Sequence, residues 1–198
     1  MDDRKGPAPA EGRLGVLLVG LGAVATTFIA GVEAVRRGSA RPIGSVTQMA
    51  HIRLGERSEG RQPLIRDFVP LSSLDDLVFG AWDPIPDDAY QSARVAGVLQ
   101  AEHLDPHRAF LESIKPMPAV FDPEYVKRLA GENVKTGANK YELGEQLRAD
   151  IRRFSEEHGC ARLVMVWCAS TEIFLKETPA HASVEALEQA MRDDSHDI

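Results

Sequence analysis

Residues Gly20-Leu21-Gly22-Ala23-Val24-Ala25 fit the spacing G-x-G-x-x-A, directly behind an apolar run at 14–19 and ahead of a helical pattern. Such a turn does phosphate chemistry without a reactive side chain. Gly20 permits the tight turn, Gly22 lets the main chain approach a pyrophosphate, and Ala25 lets the helix pack closely on a sheet. The helix start offers unpaired N–H groups and the positive end of its dipole, which favour phosphate oxygens. Small residues at a strand-to-helix turn also occur as pure packing, so the placement between strand and helix is what favours a nucleotide site. The usual acidic companion, about 20 positions on at the end of the second strand, is missing. That region reads Pro42-Ile43-Gly44-Ser45, and Glu33 lies inside the helix. Asp83, closing the run LVFGAW, is the nearest substitute, because α/β sheets hold ligands at the carboxyl ends of their strands. Asp83 fits a plain cap of the turn before Pro84 equally well.

Other reactive groupings are weaker. His103 and His107 have an i, i+4 spacing that suits a metal, but no Glu stands between them as in H-E-x-x-H, and Pro106 interrupts the helix. No G-x-S-x-G elbow or P-loop is present. The carboxylate pairs Asp75-Asp76 and Asp87-Asp88 each precede an apolar element and read as N-terminal caps. Trp82 and Trp167 each end a strand pattern, where core packing is the expected role. Cys160 and Cys168 are too few and too ill-spaced for a zinc site or a disulfide framework. No metal site is expected.

The elements that must hold these residues alternate between strand and helix. Short apolar runs at 14–19, 77–82 and 162–167 read as core strands, the last as a buried one. Helical spacing covers 23–37, with Phe28, Val32 and Val35 recurring and Gly38 as a stop. It returns at 87–99, at 140–157 with Leu143, Leu147, Ile151 and Phe154 on one stripe, and at 183–192. Segments 43–53 and 64–70 look extended, with a polar hairpin or loop at 56–62 between them, and 115–140 looks irregular. Alternation of this kind predicts an α/β, Rossmann-like domain with a parallel sheet. Three core strands fall short of the roughly six of a doubly wound dinucleotide fold, so the domain is expected to be cut short. Residues 1–12 read as a flexible tail and 13–198 as the domain.

Composition sets the outer bounds. The 198-residue chain is 43% hydrophobic, enough for a real core, and its net charge of −7 argues against a nucleic-acid partner. No apolar run approaches the roughly 20 residues that span a bilayer, and no secretory address is visible, so the expected home is a reducing cytoplasm.

The segments GLGAVATT, PIGSVTQ, LVFGAWD, IKPMPAVFDPEY and MVWCASTEIF together, in this order and spacing, resemble the inositol-3-phosphate synthases (myo-inositol-1-phosphate synthases), specifically their bacterial branch. The resemblance extends over nearly all of residues 13–194. It implies an NAD-binding Rossmann-type domain, a homotetramer, and glucose 6-phosphate as substrate. It assigns Gly20, Gly22, Ala23, Val24 and Ala25 to the cofactor loop and Asp83 to the adenosine side of NAD. The family's Trp-Thr-Ala-Asn-Thr-Glu segment, on the nicotinamide side, stands here as Trp167-Cys168-Ala169-Ser170-Thr171-Glu172. Ala119 and Val120 match a further cofactor-contacting pair. Val24 and Ala25 replace paired asparagines of many members, and Cys168 and Ser170 replace Thr and Asn. Cys168 is a weak donor and fits equally as a small buried filler.

The implied reaction is redox-neutral: oxidation at carbon 5 of the open-chain sugar phosphate by NAD, aldol closure between carbons 6 and 1, and return of the hydride. The family's catalytic lysines belong to a Lys-Ser-Gly-Gln-Thr-type segment with no counterpart here, and Lys115, Lys127, Lys135, Lys140 and Lys176 fall outside that motif. The expectation is therefore the NAD-binding part of such a synthase, inactive alone, serving inositol and phospholipid synthesis. Two alternatives are another NAD-dependent sugar-phosphate oxidoreductase and a stand-alone nucleotide-binding or sensing module.

Overall fold

The structure is a computed structural model that describes residues 11–169 and 172–198. The tail expected over 1–12 lies, but for its last two residues, outside them. Three parallel strands, β1 (Arg13–Val19), β2 (Leu77–Trp82) and β3 (Cys160–Trp167), pair in the order β2-β1-β3. Val16 of β1 sits opposite Phe79 on one side and Val164 on the other. Two single parallel bridges, Trp82↔Met117 and Ala119↔Val134, carry strand-like pairing outward beyond β2. Prolines at 116 and 118 lack the N–H a full ladder needs, which keeps these segments from reading as strands.

The helices are α1 (Ala23–Arg36), α2 (Val46–Met49), α3 (Ile65–Phe68), α4 (Ala89–Ala96), α5 (Ala101–Leu104), α6 (Arg108–Ser113), α7 (Lys140–His158) and α8 (Val184–Arg192). Because side chains alternate along a strand, β1 feeds two cores. Val16 and Leu18 pack with Ile29 of α1, Ala93 of α4 and Leu111 of α6, while Leu17 packs with Phe154 of α7 on the other face. Leu17, Leu18 and Ile29 are fully buried, each stabilising the fold by about 1.5–3 kcal/mol before entropy is counted. α1 buries Ala25, Ile29, Ala30 and Val32, a face of mostly small residues that permits close approach, and leaves Phe28 and Val35 at its margin. Asp88 caps α4 as expected, accepting from Gln91 N at 2.9 Å, and Gly97 ends it at φ 66°.

Several expectations are corrected. Segments 43–53 and 64–70 are not extended throughout: α2 and α3 occupy them, joined by the single antiparallel bridge His51↔Leu64. They lie at the surface, with Ile43 79% and Val46 68% exposed, and among the described residues they pair only with each other, from His51 to Leu64. A helical turn closes its own hydrogen bonds, as Ala50 N to Val46 O at 2.9 Å shows. Of the hairpin or loop expected at 56–62, the structure forms a hairpin, with Leu54 N donating to Arg61 O at 3.0 Å and a single 3-10 turn at Arg57–Glu59. Ser73, not Asp75-Asp76, caps the next short turn, accepting from Asp75 N at 3.3 Å. β3 is not buried. Among the described residues it pairs with β1 alone, and Met165 and Trp167 are 51% and 66% exposed. Trp167 thus packs in no core; its indole N–H donates to Glu172 at 2.8 Å.

Candidate functional site

The glycine loop sits where all three strands end. Gly20 has φ +92°, a left-handed conformation that a side chain would strain, and a Cβ there would stand 3.2 Å from the Ala169 nitrogen. Gly20 N donates to Trp82 O at 2.9 Å and Cys168 N donates to Val19 O at 2.8 Å, so the loop is stitched to the exits of β2 and β3. Gly22 is different. Its φ of −85° suits any residue, yet nothing lies within 4 Å of where its Cβ would be. The position faces free space, as a backbone approached by a ligand must.

α1 begins at that space. Gly22 is its N-cap with no capping side chain, its first turn carries no acidic residue, and the first N–H groups of a helix have no intrahelical partner. Positive partial charge there favours an anion. Gly22 O accepts both Thr26 N (3.0 Å) and Thr26 Oγ1 (2.9 Å), which fixes the start of the helix. Ala25 is fully buried against the sheet, whereas Ala23 and Val24 are exposed beside the loop.

Asp83 satisfies both of its local readings. Its Oδ1 accepts Ile85 N at 2.9 Å, capping the Pro84 turn, and its Oδ2 accepts Leu21 N at 2.7 Å, inside the glycine loop. A carboxylate oxygen has a second lone pair, so both hydrogen bonds leave acceptor capacity and charge for a ligand. Ala119 is buried, its side chain among Leu17, Trp82 and Phe154, while Val120 beyond it is 41% exposed. Cys168 is half-buried against the α1-side core, and burial pushes its thiol pKa up. Ala169 abuts Gly20, and Ser170 and Thr171 lie outside the described residues.

One buried ion cluster went unseen in the sequence. Asp150 of α7 accepts Trp82 Nε1 at 2.9 Å, Lys135 Nζ at 2.6 Å and Arg153 Nη2 at 2.7 Å, and its side chain is 5% exposed. Burial pushes its carboxyl pKa up, but the hydrogen bonds from Lys135, Trp82 and Arg153 outweigh that and hold it below the ordinary carboxylate value. Its signal was there: Asp150 falls three residues after Leu147, next to the apolar stripe. Asn133 and Gly131, which contact Asp83 and Pro84, had none. His107 is 4% exposed with Nε2 3.3 Å from Ser39 Oγ, and among the described residues no group of three His, Cys, Asp or Glu could hold a metal. A cleft of about 470 Å³ runs along β2, lined by Arg13 and Leu77 at its amino end and by Gly80, Ala81 and Met117 towards its carboxyl end. Neither the glycine loop nor Asp83 lines it.

A parallel sheet with helices on both faces, and a glycine turn opening a helix at its carboxyl edge, defines a dinucleotide-binding α/β domain. Residues 14–198 match the NAD-binding family model described as myo-inositol-1-phosphate synthase, and the chain belongs to that family. It is 50% identical over 191 residues to inositol-3-phosphate synthase 1 of Bacteroides thetaiotaomicron, covering 96% of this chain and 44% of that protein. It is 36% identical to inositol-3-phosphate synthase 1 of Bos taurus, covering 84% of this chain and 33% of that protein. The crystal structure of inositol-3-phosphate synthase from Caenorhabditis elegans superposes with a TM-score of 0.84 at 29% identity, over 94% of this chain and 40% of that one. The chain therefore spans less than half the length of these relatives. NAD is the cofactor of the domain it contains. No described helix is long and apolar enough to cross a membrane.

Proposed function

We propose that this chain is the NAD-holding part of an inositol-3-phosphate synthase, which converts D-glucose 6-phosphate to 1D-myo-inositol 3-phosphate. The observation that carries the reading is the Asp83–Leu21 hydrogen bond of 2.7 Å beside the empty approach at Gly22, because it joins the carboxylate to the phosphate-type loop. Bound NAD supplies a reversible hydride acceptor. This chain's residues bind and orient it. The N–H groups of Ala23, Val24 and Ala25 hold the pyrophosphate, Gly20 and Gly22 admit it, and Asp83 meets the adenosine ribose. Ala119 and Val120 line one flank, and Cys168, Ala169, Ser170 and Thr171 line the nicotinamide side. Main-chain donors take over where the family's paired asparagines are replaced by Val24 and Ala25, since the helix start needs no side chain to attract an anion. The reading extends to a cytoplasmic homotetramer serving inositol and phospholipid synthesis, and the free thiols of Cys160 and Cys168 suit a reducing compartment.

The test uses the full-length protein with glucose 6-phosphate and NAD. Inositol phosphate is expected with no net rise in NADH absorbance. NADH accumulating in step with substrate loss would instead favour a net-oxidising sugar-phosphate dehydrogenase, and NAD binding without turnover would favour a sensing module.

A further inference from the structure

The turn that presents Asp83 is tied down by a segment 50 residues further along the chain. Gly131 crosses it so closely that a Cβ would lie 2.1 Å from Pro84 O, a distance no side chain permits. Asn133 N donates to Pro84 O at 2.9 Å, and Asn133 Nδ2 donates to Asp83 O at 2.8 Å and more weakly to Pro116 O at 3.4 Å. Pro84, Pro116 and Pro118 have no N–H, so the ladder at this end of the sheet is short, carried by Met117 N to Ala81 O at 2.8 Å and Ala119 N to Asn133 O at 3.0 Å. The Asn133 amide adds donors of its own to it. Two residues on, Lys135 N donates to Ala119 O at 2.8 Å while its ammonium meets Asp150 at 2.6 Å, with both side chains under a tenth exposed. Asp150 in turn holds the Trp82 indole. The two ends of the segment thus converge on Trp82, Asp83 and Pro84, the residues that carry the carboxylate.

We propose that residues 131–135 are a strap in which Asn133 and Lys135 are positioning residues, fixing the Asp83 carboxylate and thereby setting the selection of NAD over NADP. The inference rests on the reading that Asp83 meets the adenosine ribose, where its charge repels a 2′-phosphate. A fixed carboxylate cannot swing aside to admit that phosphate. Loosening the strap restores this freedom, so selectivity falls even where the fold survives.

The experiment measures dissociation constants of NAD and NADP by calorimetry, well below each variant's melting temperature, for the wild type and for Asn133→Ala, Lys135→Met, Lys135→Arg and Asp83→Asn. Asn133→Ala and Lys135→Met are each expected to reduce the NAD-over-NADP preference by about tenfold, the worth of one good hydrogen bond. Lys135→Arg, which keeps the buried charge, should recover most of it. A merely structural strap would weaken both dinucleotides alike and leave their ratio unchanged, and that result overturns the proposal. If Lys135→Met fails to fold, Asn133→Ala decides, since it buries no unpaired charge. A ratio moved by Asp83→Asn but not by the strap variants keeps the ribose reading and removes the strap's role. A ratio moved by none of them, or a wild type that binds neither dinucleotide, removes both.

Discussion

Replacing Gly22 by valine separates a ligand-facing glycine from a packing one. Its φ of −85° is open to β-branched residues, and a Cβ there touches nothing within 4 Å, so no clash opposes the change. Valine is a poorer N-cap than glycine, a loss of about 1 kcal/mol, partly offset by the reduced freedom of the unfolded chain. For a domain of this size the melting temperature should therefore move by only about 2–4 °C. Binding should fare far worse. The isopropyl group fills the approach to the first N–H groups of α1, and charge-assisted hydrogen bonds to phosphate are worth about 1.5–3 kcal/mol each. Losing two of them weakens NAD binding by at least about 100-fold. Gly20→Ala should behave in the opposite way, because φ +92° and the Ala169 nitrogen at 3.2 Å resist any side chain. It should destabilise the fold by about 1–3 kcal/mol. Circular dichroism melting beside an NAD titration reads both effects. Gly22→Val with normal melting and normal affinity would refute the placement of pyrophosphate at this turn.

Two further outcomes follow from the buried charges and the open edge. Because the folded pKa of Asp150 is depressed, the stability it contributes is fully present above its unfolded value near pH 4 and is lost as pH falls through the folded value. Asp150→Asn should cost about 3–5 kcal/mol at neutral pH by leaving Lys135 buried without its partner, and should flatten the acid limb of the stability curve. Urea titrations at several pH values check this, and an unchanged acid limb would mean that the carboxyl is not held charged. The outer edge of β3 presents Val164, Met165 and Val166 at 42%, 51% and 40% exposure, so residues 1–198 in isolation should self-associate. Met165→Lys should reduce that association in sedimentation velocity, and a monodisperse wild-type chain would count against the edge as a pairing surface.

The parts of this molecule that were legible in its sequence are those whose signals are local. The glycine loop, the three strands and the Lys140–His158 helix follow from punctuation and period within about a dozen residues. The failures differ in cause. Residues 43–53 read as extended, but Ile43, Val46, Met49 and Ala50 recur at three- and four-residue spacing, and the stretch 46–49 closes a helical turn while only its end near His51 pairs. Residues 160–167 are apolar enough for a central strand, yet hydrogen-bonded neighbours are a property of the sheet and not of the segment. Asn133 and Lys135 act on residues tens of positions away, a distance at which no period carries information, while the burial of Asp150 shows in the helical stripe but its partners do not.

Asp83 shows most clearly how the two scales meet. From the sequence, capping the Pro84 turn and serving a nucleotide loop were competing uses of one carboxylate. In the fold each oxygen takes one, Oδ1 with Ile85 N and Oδ2 with Leu21 N, and the first use serves the second. A carboxylate tethered only to the loop would still rotate about its side-chain torsions, and ordering it would be left for the ligand to accomplish at some cost in affinity. The cap, on a Pro84 turn whose main chain Asn133 holds, removes that freedom before any ligand arrives. No strand forms near residue 43, so β2 is the second strand of the fold, and Asp83 stands directly after its carboxyl end beside the glycine loop.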